Sequence, residues 1–296
     1  MTIPAYMKTS LAFARIKDFG ELVKFSHTVF LFPFALSAVV LAMGQATLTW
    51  AKGFWIVVAL VAARSAAMVI NRIADLRYDA QNPRTAARPM VSGRVSKPLA
   101  WAWLIAACAA FVLASAMLGP ACLYLSPVAL AWVLGYSFAK RFTFLCHIWL
   151  GLATALAPLG AWVAMTGALD WPIVLLALAV ACWVGGFDII YACQDIDFDR
   201  AHKLHSLPAR LGLHGALWIS RGLHLLAALG FWALGPLFGL GRIYLTGVAL
   251  IALLLLVEHV LVAVKRANIP MAFFTVNGVV SIAYFLFLLI DRLASA

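Results

Sequence analysis

The sequence predicts an all-α, polytopic membrane protein, nine transmembrane helices bundled around an intramembrane cavity, in one domain over residues 1–296. Three observations carry that reading. Hydrophobic residues make up 65% of the chain and charged residues 11%, with a mean hydropathy of +1.00. Soluble domains carry about 25% charge, and disordered chains lack this apolar content. Apolar runs of about 20 residues, enough to cross roughly 30 Å of hydrocarbon, recur along the whole length. The basic residues, finally, fall mainly on alternate loops.

Gly, Pro and charge cut the apolar runs into nine spans. The first, 24–43, follows Lys8, Arg15 and Lys17 as a signal peptide would, but its run from Phe25 to Met43 is too long for a signal-peptide core and reads as an uncleaved span. The second, 53–72, closes on an acidic stretch, and the third, 99–119, opens after Pro98 and closes at Gly119-Pro120. The fourth, 122–139, stops at Lys140-Arg141; the fifth, 146–166, stops at Gly167; the sixth, 172–193, runs from Pro172 into a second acidic stretch. The last three are 214–235, 243–264 and 270–290, bounded by Gly235-Pro236, Lys265-Arg266 and Asp291-Arg292. Long polar loops are expected at 72–98 and 194–213.

Orientation follows from charge. The N-terminal arm and the loops after the second, fourth, sixth and eighth spans hold seventeen of the 22 Lys and Arg, whereas the opposite side holds only Lys52, Arg242 and Arg292. Basic loops stay cytoplasmic, so the N-terminus and the polar loops are expected inside and the C-terminus outside. The net charge of +11 is thereby a topology signal, which removes the nucleic-acid reading it would invite in a soluble chain. Five cysteines, without any C-x-x-C and mostly within apolar runs, predict neither disulfides nor a thiolate metal site.

Six of the eleven acidic residues sit in two short stretches, Asn71 to Asp79 and Asp188 to Asp199. Asn71, Asp75 and Asp79 recur every four residues and share one helix face. On a continuous helix Asp188, Asp195 and Asp199 fall in a stripe about 40° wide, with Asp197 about 180° away. A carboxylate at membrane depth costs about 2.5–3.5 kcal/mol and demands compensation. Hard oxygen donors without clustered His or Cys select Mg²⁺, which keeps waters and takes one or two carboxylates plus substrate phosphates. Two facing clusters would hold a diphosphate. The bland alternative pairs these aspartates with Arg72, Arg77, Arg84, Arg88, Arg200 and Lys203 at a polar interface.

These residues resemble the UbiA-type intramembrane prenyltransferase superfamily. Asn71, Asp75 and Asp79 match its Asn-x-x-x-Asp-x-x-x-Asp motif, and Asp188, Asp195 and Asp199 its second Asp-rich motif; Pro83 to Pro89, Ser92-Gly93-Arg94, Tyr136, Lys140-Arg141 and Lys203 to Arg210 match further. Arg72 stands where many members carry Asp. The resemblance implies Mg²⁺-dependent transfer of a polyprenyl group from its diphosphate to an aromatic ring in quinone biosynthesis, in a bacterial inner membrane with cytoplasmic site loops. The stretch Gly186 to Asp195 and the segment Lys24 to Phe30 place the acceptor between 4-hydroxybenzoate and a futalosine-derived aromatic acid of menaquinone synthesis. The metal would lie on Asn71, Asp75, Asp79, Asp195 and Asp199. Lys140 and Lys203 would neutralise the leaving diphosphate, with Arg72, Arg77, Arg141, Tyr136, Tyr191 and Arg210 around the donor. Asp188, one to two turns deeper, would orient or deprotonate the acceptor. Lys24 and His27 are candidates for an acceptor carboxylate, or else an interface anchor and a packed histidine, and Arg64 within the second span needs a partner.

Two other classes stay open. A cation-coupled transporter also places carboxylates in the membrane, but on broken helices near the midplane. An intramembrane CDP-alcohol phosphotransferase binds metal through Asp, but its Asp-Gly and Ala-Arg elements are missing from both stretches.

Overall fold

A computed structural model describes residues 17–23, 30–264 and 269–295, and among these every regular element is helical. A short helix α1 covers 17–23. It is followed by α2 (Phe32–Ala42), α3 (Trp50–Asp79), α4 (Lys97–Leu118), α5 (Pro120–Gly135), α6 (Cys146–Thr166), α7 (Trp171–Ala192), α8 (Ile196–Ala201), α9 (Leu207–Phe238), α10 (Arg242–Val264), α11 (Ile269–Met271) and α12 (Asn277–Ser295). Among the described residues eight helical stretches are long and apolar enough to cross a membrane. The first expected span, 24–43, is represented among the described residues by the 11-residue α2; residues 24–29, with the candidates Lys24 and His27, lie outside the described residues.

The span limits agree with the sequence reading to within a few residues, except where the helices carry polar residues. Helix α3 is 30 residues long, about 45 Å at 1.5 Å per residue. That exceeds the hydrocarbon thickness, so its last two turns, from Asn71 on, lie toward the bundle's loop end rather than at mid-depth. The expected loop 72–98 shrinks to 80–96. The expected loop 194–213 is mostly helical: a 3₁₀ turn, Cys193–Asp195, links α7 to α8, and α9 begins at Leu207. Gly212, at φ 70° and ψ 179°, interrupts the helical backbone near the start of α9. The continuous helix assumed for Asp188 to Asp199 is therefore replaced by a helix, a tightened turn and a short second helix.

Serine and threonine caps set several starts. Thr49, Ser96 and Ser206 each accept a hydrogen bond from the backbone N–H three residues on, satisfying a donor the first helical turn leaves free. The main core gathers Phe34, Trp162, Trp183, Phe231, Tyr244 and Tyr284 between α2, α6, α7, α9, α10 and α12. Helices α6 and α7 approach so closely that a Cβ at Gly151 would collide with the Ala181 carbonyl oxygen. Behind α7 a polar chain crosses the core: Trp183 Nε1 donates to Asn277 Oδ1 at 2.8 Å, and Asn277 Nδ2 donates to Glu258 Oε1 at 2.8 Å. None of the five cysteines, all among the described residues, is joined in a disulfide.

Candidate active site

One cavity of about 770 Å³ runs along α3, α5, α6 and α7. Its lower wall is apolar, from Ile56, Leu60, Leu118, Leu156 and Val163. Its loop end is lined by Asn71, Arg72, Asp75, Asp79, Tyr136, Lys140, Arg141, Tyr191, Asp195 and Asp199, with Asp188 deeper in the lining. The four-residue spacing on α3 thus delivers its three members to one place. The second motif also delivers three: the 3₁₀ turn rotates Asp195 and Asp199 into the lining, and Asp197 is exposed.

Each carboxylate at this end meets a cation of the chain. Arg88 Nη1 donates to both oxygens of Asp79 at 2.6 and 2.5 Å. Arg84 reaches across from the 80–96 loop, donating from Nε and Nη2 to Asp195 at 3.2 and 2.5 Å and from Nη1 to the Tyr191 hydroxyl at 2.6 Å. Burial alone would lower the Arg84 pKa, but the Tyr191 and Asp195 charges and hydrogen bonds outweigh it and hold the guanidinium above its ordinary value. On the Arg84 side the charge is therefore kept through neutral pH and is lost as the pH rises into strong alkali. Lys140 Nζ lies 3.3 Å from Asp199 Oδ2, which also accepts from Ser206 Oγ at 2.7 Å. Arg141 lies 3.5 Å from Asp75, whose Oδ2 accepts from Asn71 Nδ2 at 2.9 Å. Arg72 is buried, donating to Asn71 Oδ1 and the Leu22 carbonyl.

Three expected residues lie elsewhere. Arg77, two residues from Asp75 and so on the other side of α3, is exposed and outside the lining. Lys203, four residues after Asp199, would share its face only on a continuous helix. That helix ends at Ala201, and Lys203 sits exposed beyond it with φ 54°. Arg210 stacks 4.0 Å over the Phe144 ring. In their place stand Arg84, Arg88 and Asn82, all lining the cavity; the first two entered the sequence reading as partners of a polar interface and within the matching stretch Pro83 to Pro89, without an assigned role in the site. His202 ties the two loops through 2.9 Å bonds to Phe198 O and Gln81 Oε1.

Two features lie deeper. Arg64, seven residues before Asn71 and hence about 10 Å along the axis on nearly the same face, lines the cavity, and its Nε is buried without a hydrogen-bond partner. His147, which spacing rules gave no reason to select, hydrogen-bonds Asp188.

Among the described residues no three acid, imidazole or thiol groups are close enough to hold an ion by themselves. The donor set, one carboxamide and four carboxylates around a cavity wide enough for a phosphate ligand, fits a hard cation that keeps waters and completes its shell with diphosphate oxygens.

Residues 30–289 match the UbiA prenyltransferase family. The 4-hydroxybenzoate octaprenyltransferase of Vibrio campbellii is 29% identical over 281 residues, 93% of this chain and 98% of that one. Its counterpart from Pseudoalteromonas translucida is 33% identical over 231 residues, 78% of each. The apo structure of a UbiA homolog from Aeropyrum pernix shares 38% identity and a TM-score of 0.82 over 90% of this chain and 98% of its own. A UbiA homolog from Archaeoglobus fulgidus bound to GPP and Mg²⁺ shares the fold, with a TM-score of 0.70 at 19% identity over 93% and 99%. Matched this fully in sequence and in helical architecture, the chain belongs to the UbiA prenyltransferase family.

Proposed function

We propose that this integral membrane protein transfers a polyprenyl group from its diphosphate to the ring of a small aromatic acid, of the 4-hydroxybenzoate type, with Mg²⁺. The carrying observation is the division of one cavity into a loop end lined by both aspartate motifs and their cations, an apolar wall below, and an unpartnered guanidinium nitrogen between. The curated relatives named above support the acceptor class. The loop end faces the cytoplasm in this reading, as the bias of Lys and Arg supports.

Asn71, Asp75, Asp79, Asp195 and Asp199 would hold the metal, which when bound supplies Lewis acidity toward the diphosphate oxygens. Arg84, Arg88, Lys140 and Arg141, already aimed at the carboxylates, are placed to turn their donors to the diphosphate as charge develops on it, the step where preorganised cations act most strongly. The apolar wall takes the prenyl chain and excludes water from the allylic cation. Arg64, about two turns deeper than Asn71, faces the acceptor level and finds in the acid's carboxylate the partner a buried guanidinium needs. Asp188 lies at the same depth relative to Asp195, on the acceptor's other side.

The test incubates the purified protein with Mg²⁺, a labelled polyprenyl diphosphate and either 4-hydroxybenzoate or a futalosine-derived aromatic acid, followed by identification of the lipid product. Ring-prenylated 4-hydroxybenzoate is expected. Product from the second acid alone would move the acceptor to the menaquinone branch, and none from either acid would overturn the reading.

A further inference from the structure

His147, the second residue of α6, has a fully buried side chain, and its Nδ1 lies 2.6 Å from Oδ2 of Asp188, 41 residues away on α7. A carboxylate oxygen only accepts, so Nδ1 carries the hydrogen and donates. The other ring nitrogen, Nε2, is buried with no hydrogen-bond partner, so the whole polar capacity of the ring that the fold satisfies is spent on this one carboxylate. Asp188 itself is not sealed in: it lines the cavity with 19% of its side chain accessible, and among the described residues its Oδ1 accepts no hydrogen bond. One oxygen is tied and the other faces the cavity.

The contact is built where α6 and α7 approach closely. One turn along α6, Gly151 lets the backbone ride against Ala181. One turn back along α7, Gly185 sits where a Cβ would be 3.5 Å from the His147 carbonyl oxygen. Small residues on both helices thus fix the spacing at which imidazole and carboxylate meet. Asp188 is seven residues from Asp195, about 10 Å deeper, and so below the diphosphate end, at the level of Arg64.

We propose that His147 is a positioning residue for Asp188, holding its carboxylate so that the free oxygen takes the proton leaving the acceptor ring. This rests on the prenyl-transfer reading above. In the reaction the allylic C–O bond breaks and its electron pair leaves on the diphosphate. A ring carbon of the acceptor supplies the pair for the new C–C bond. The C–H pair of that carbon then returns to the ring, and its proton passes to Asp188 Oδ1. One C–O and one C–H bond are lost, one C–C and one O–H bond are formed, and the proton goes to solvent with product release. His147 does not touch the ring; it decides where Oδ1 points.

The experiment uses the full chain with Mg²⁺, geranyl diphosphate and 4-hydroxybenzoate, either unlabelled or deuterated beside the hydroxyl. His147→Leu removes the donor, and His147→Asn returns an N–H near the position of Nδ1. For His147→Leu the expected result is a kcat lowered about 10²-fold, the lower range of a positioned base, with KM for the diphosphate within about twofold. It should also show a primary isotope effect that wild type lacks, because proton removal becomes rate-limiting. His147→Asn should recover about tenfold of that loss. Wild-type kcat in His147→Leu, or equal losses in both variants with no isotope effect, overturns the proposal. If His147→Leu does not accumulate in membranes, Asp188→Glu, which displaces the free oxygen by a methylene, must show the isotope effect instead. A wild-type protein that prenylates no aromatic acid would sink the functional reading, which these comparisons keep separate from the role of His147.

Discussion

At Asp195 and Asp197 two carboxylates two residues apart have opposite surroundings. Asp195 is buried and gripped by Arg84 and Asn82, and Asp197 is exposed. Asp195→Asn should lower turnover at saturating donor by about 10²-fold or more, in the range for losing a group that acts on developing charge, whereas Asp197→Asn should stay within about twofold, as surface changes do. Initial rates in membranes with equal amounts of each variant decide it; equal losses would mean that the exposed face of α8 belongs to the site. Helical arithmetic found the carboxylates because a stretch of Asp in an apolar chain has no packing use. It failed on Lys203, since four residues' spacing means a shared face only while the helix lasts. It passed over His147 for a different reason: a single histidine at the start of an apolar run reads as core, and its partner is 41 residues away.

Helix ends, in this protein, are where secondary structure and site chemistry share atoms. Ser206 caps α9 by accepting from Ala209 N–H at 3.2 Å, and the same hydroxyl donates to Asp199 Oδ2 at 2.7 Å. Ser206→Ala should therefore cost about 1 kcal/mol through the lost cap and, separately, lower turnover several-fold by freeing Asp199. Ser206→Thr keeps both bonds and should do neither. Thermal unfolding in detergent and kcat, measured on the two variants, separate the effects; a stability loss with unchanged kcat would detach the cap from the site. The spans themselves were legible because hydrocarbon thickness fixes how much apolar length a helix needs. Their polar extensions, the last turns of α3, the turn into α8 and the start of α9, were not. Asn71, Asp75 and Asp79 on α3 and Asp195 and Asp199 beyond α7 line an internal cavity, and composition cannot distinguish such a lining from a solvated loop.

Across the whole molecule the pairing of acids with bases has a consequence for biogenesis. Arg88 with Asp79, Arg84 with Asp195, Lys140 with Asp199 and Arg141 with Asp75 are pairs the chain supplies from its own residues. A pocket made of bare carboxylates would repel itself and need a divalent ion to assemble, as small metal-dependent domains do. Here insertion and packing are self-sufficient in charge. Chelation with EDTA should abolish turnover yet shift the melting temperature of the purified protein by no more than about 2 °C, the size of shift a change of roughly 1 kcal/mol produces in a chain of this length; unfolding on chelation alone would contradict it. Mg²⁺ and the diphosphate together should raise the melting temperature more than either added singly, because each makes room for the other among the same cations. A cell starved of magnesium would then accumulate intact, idle enzyme, ready to resume without new synthesis when the ion returns.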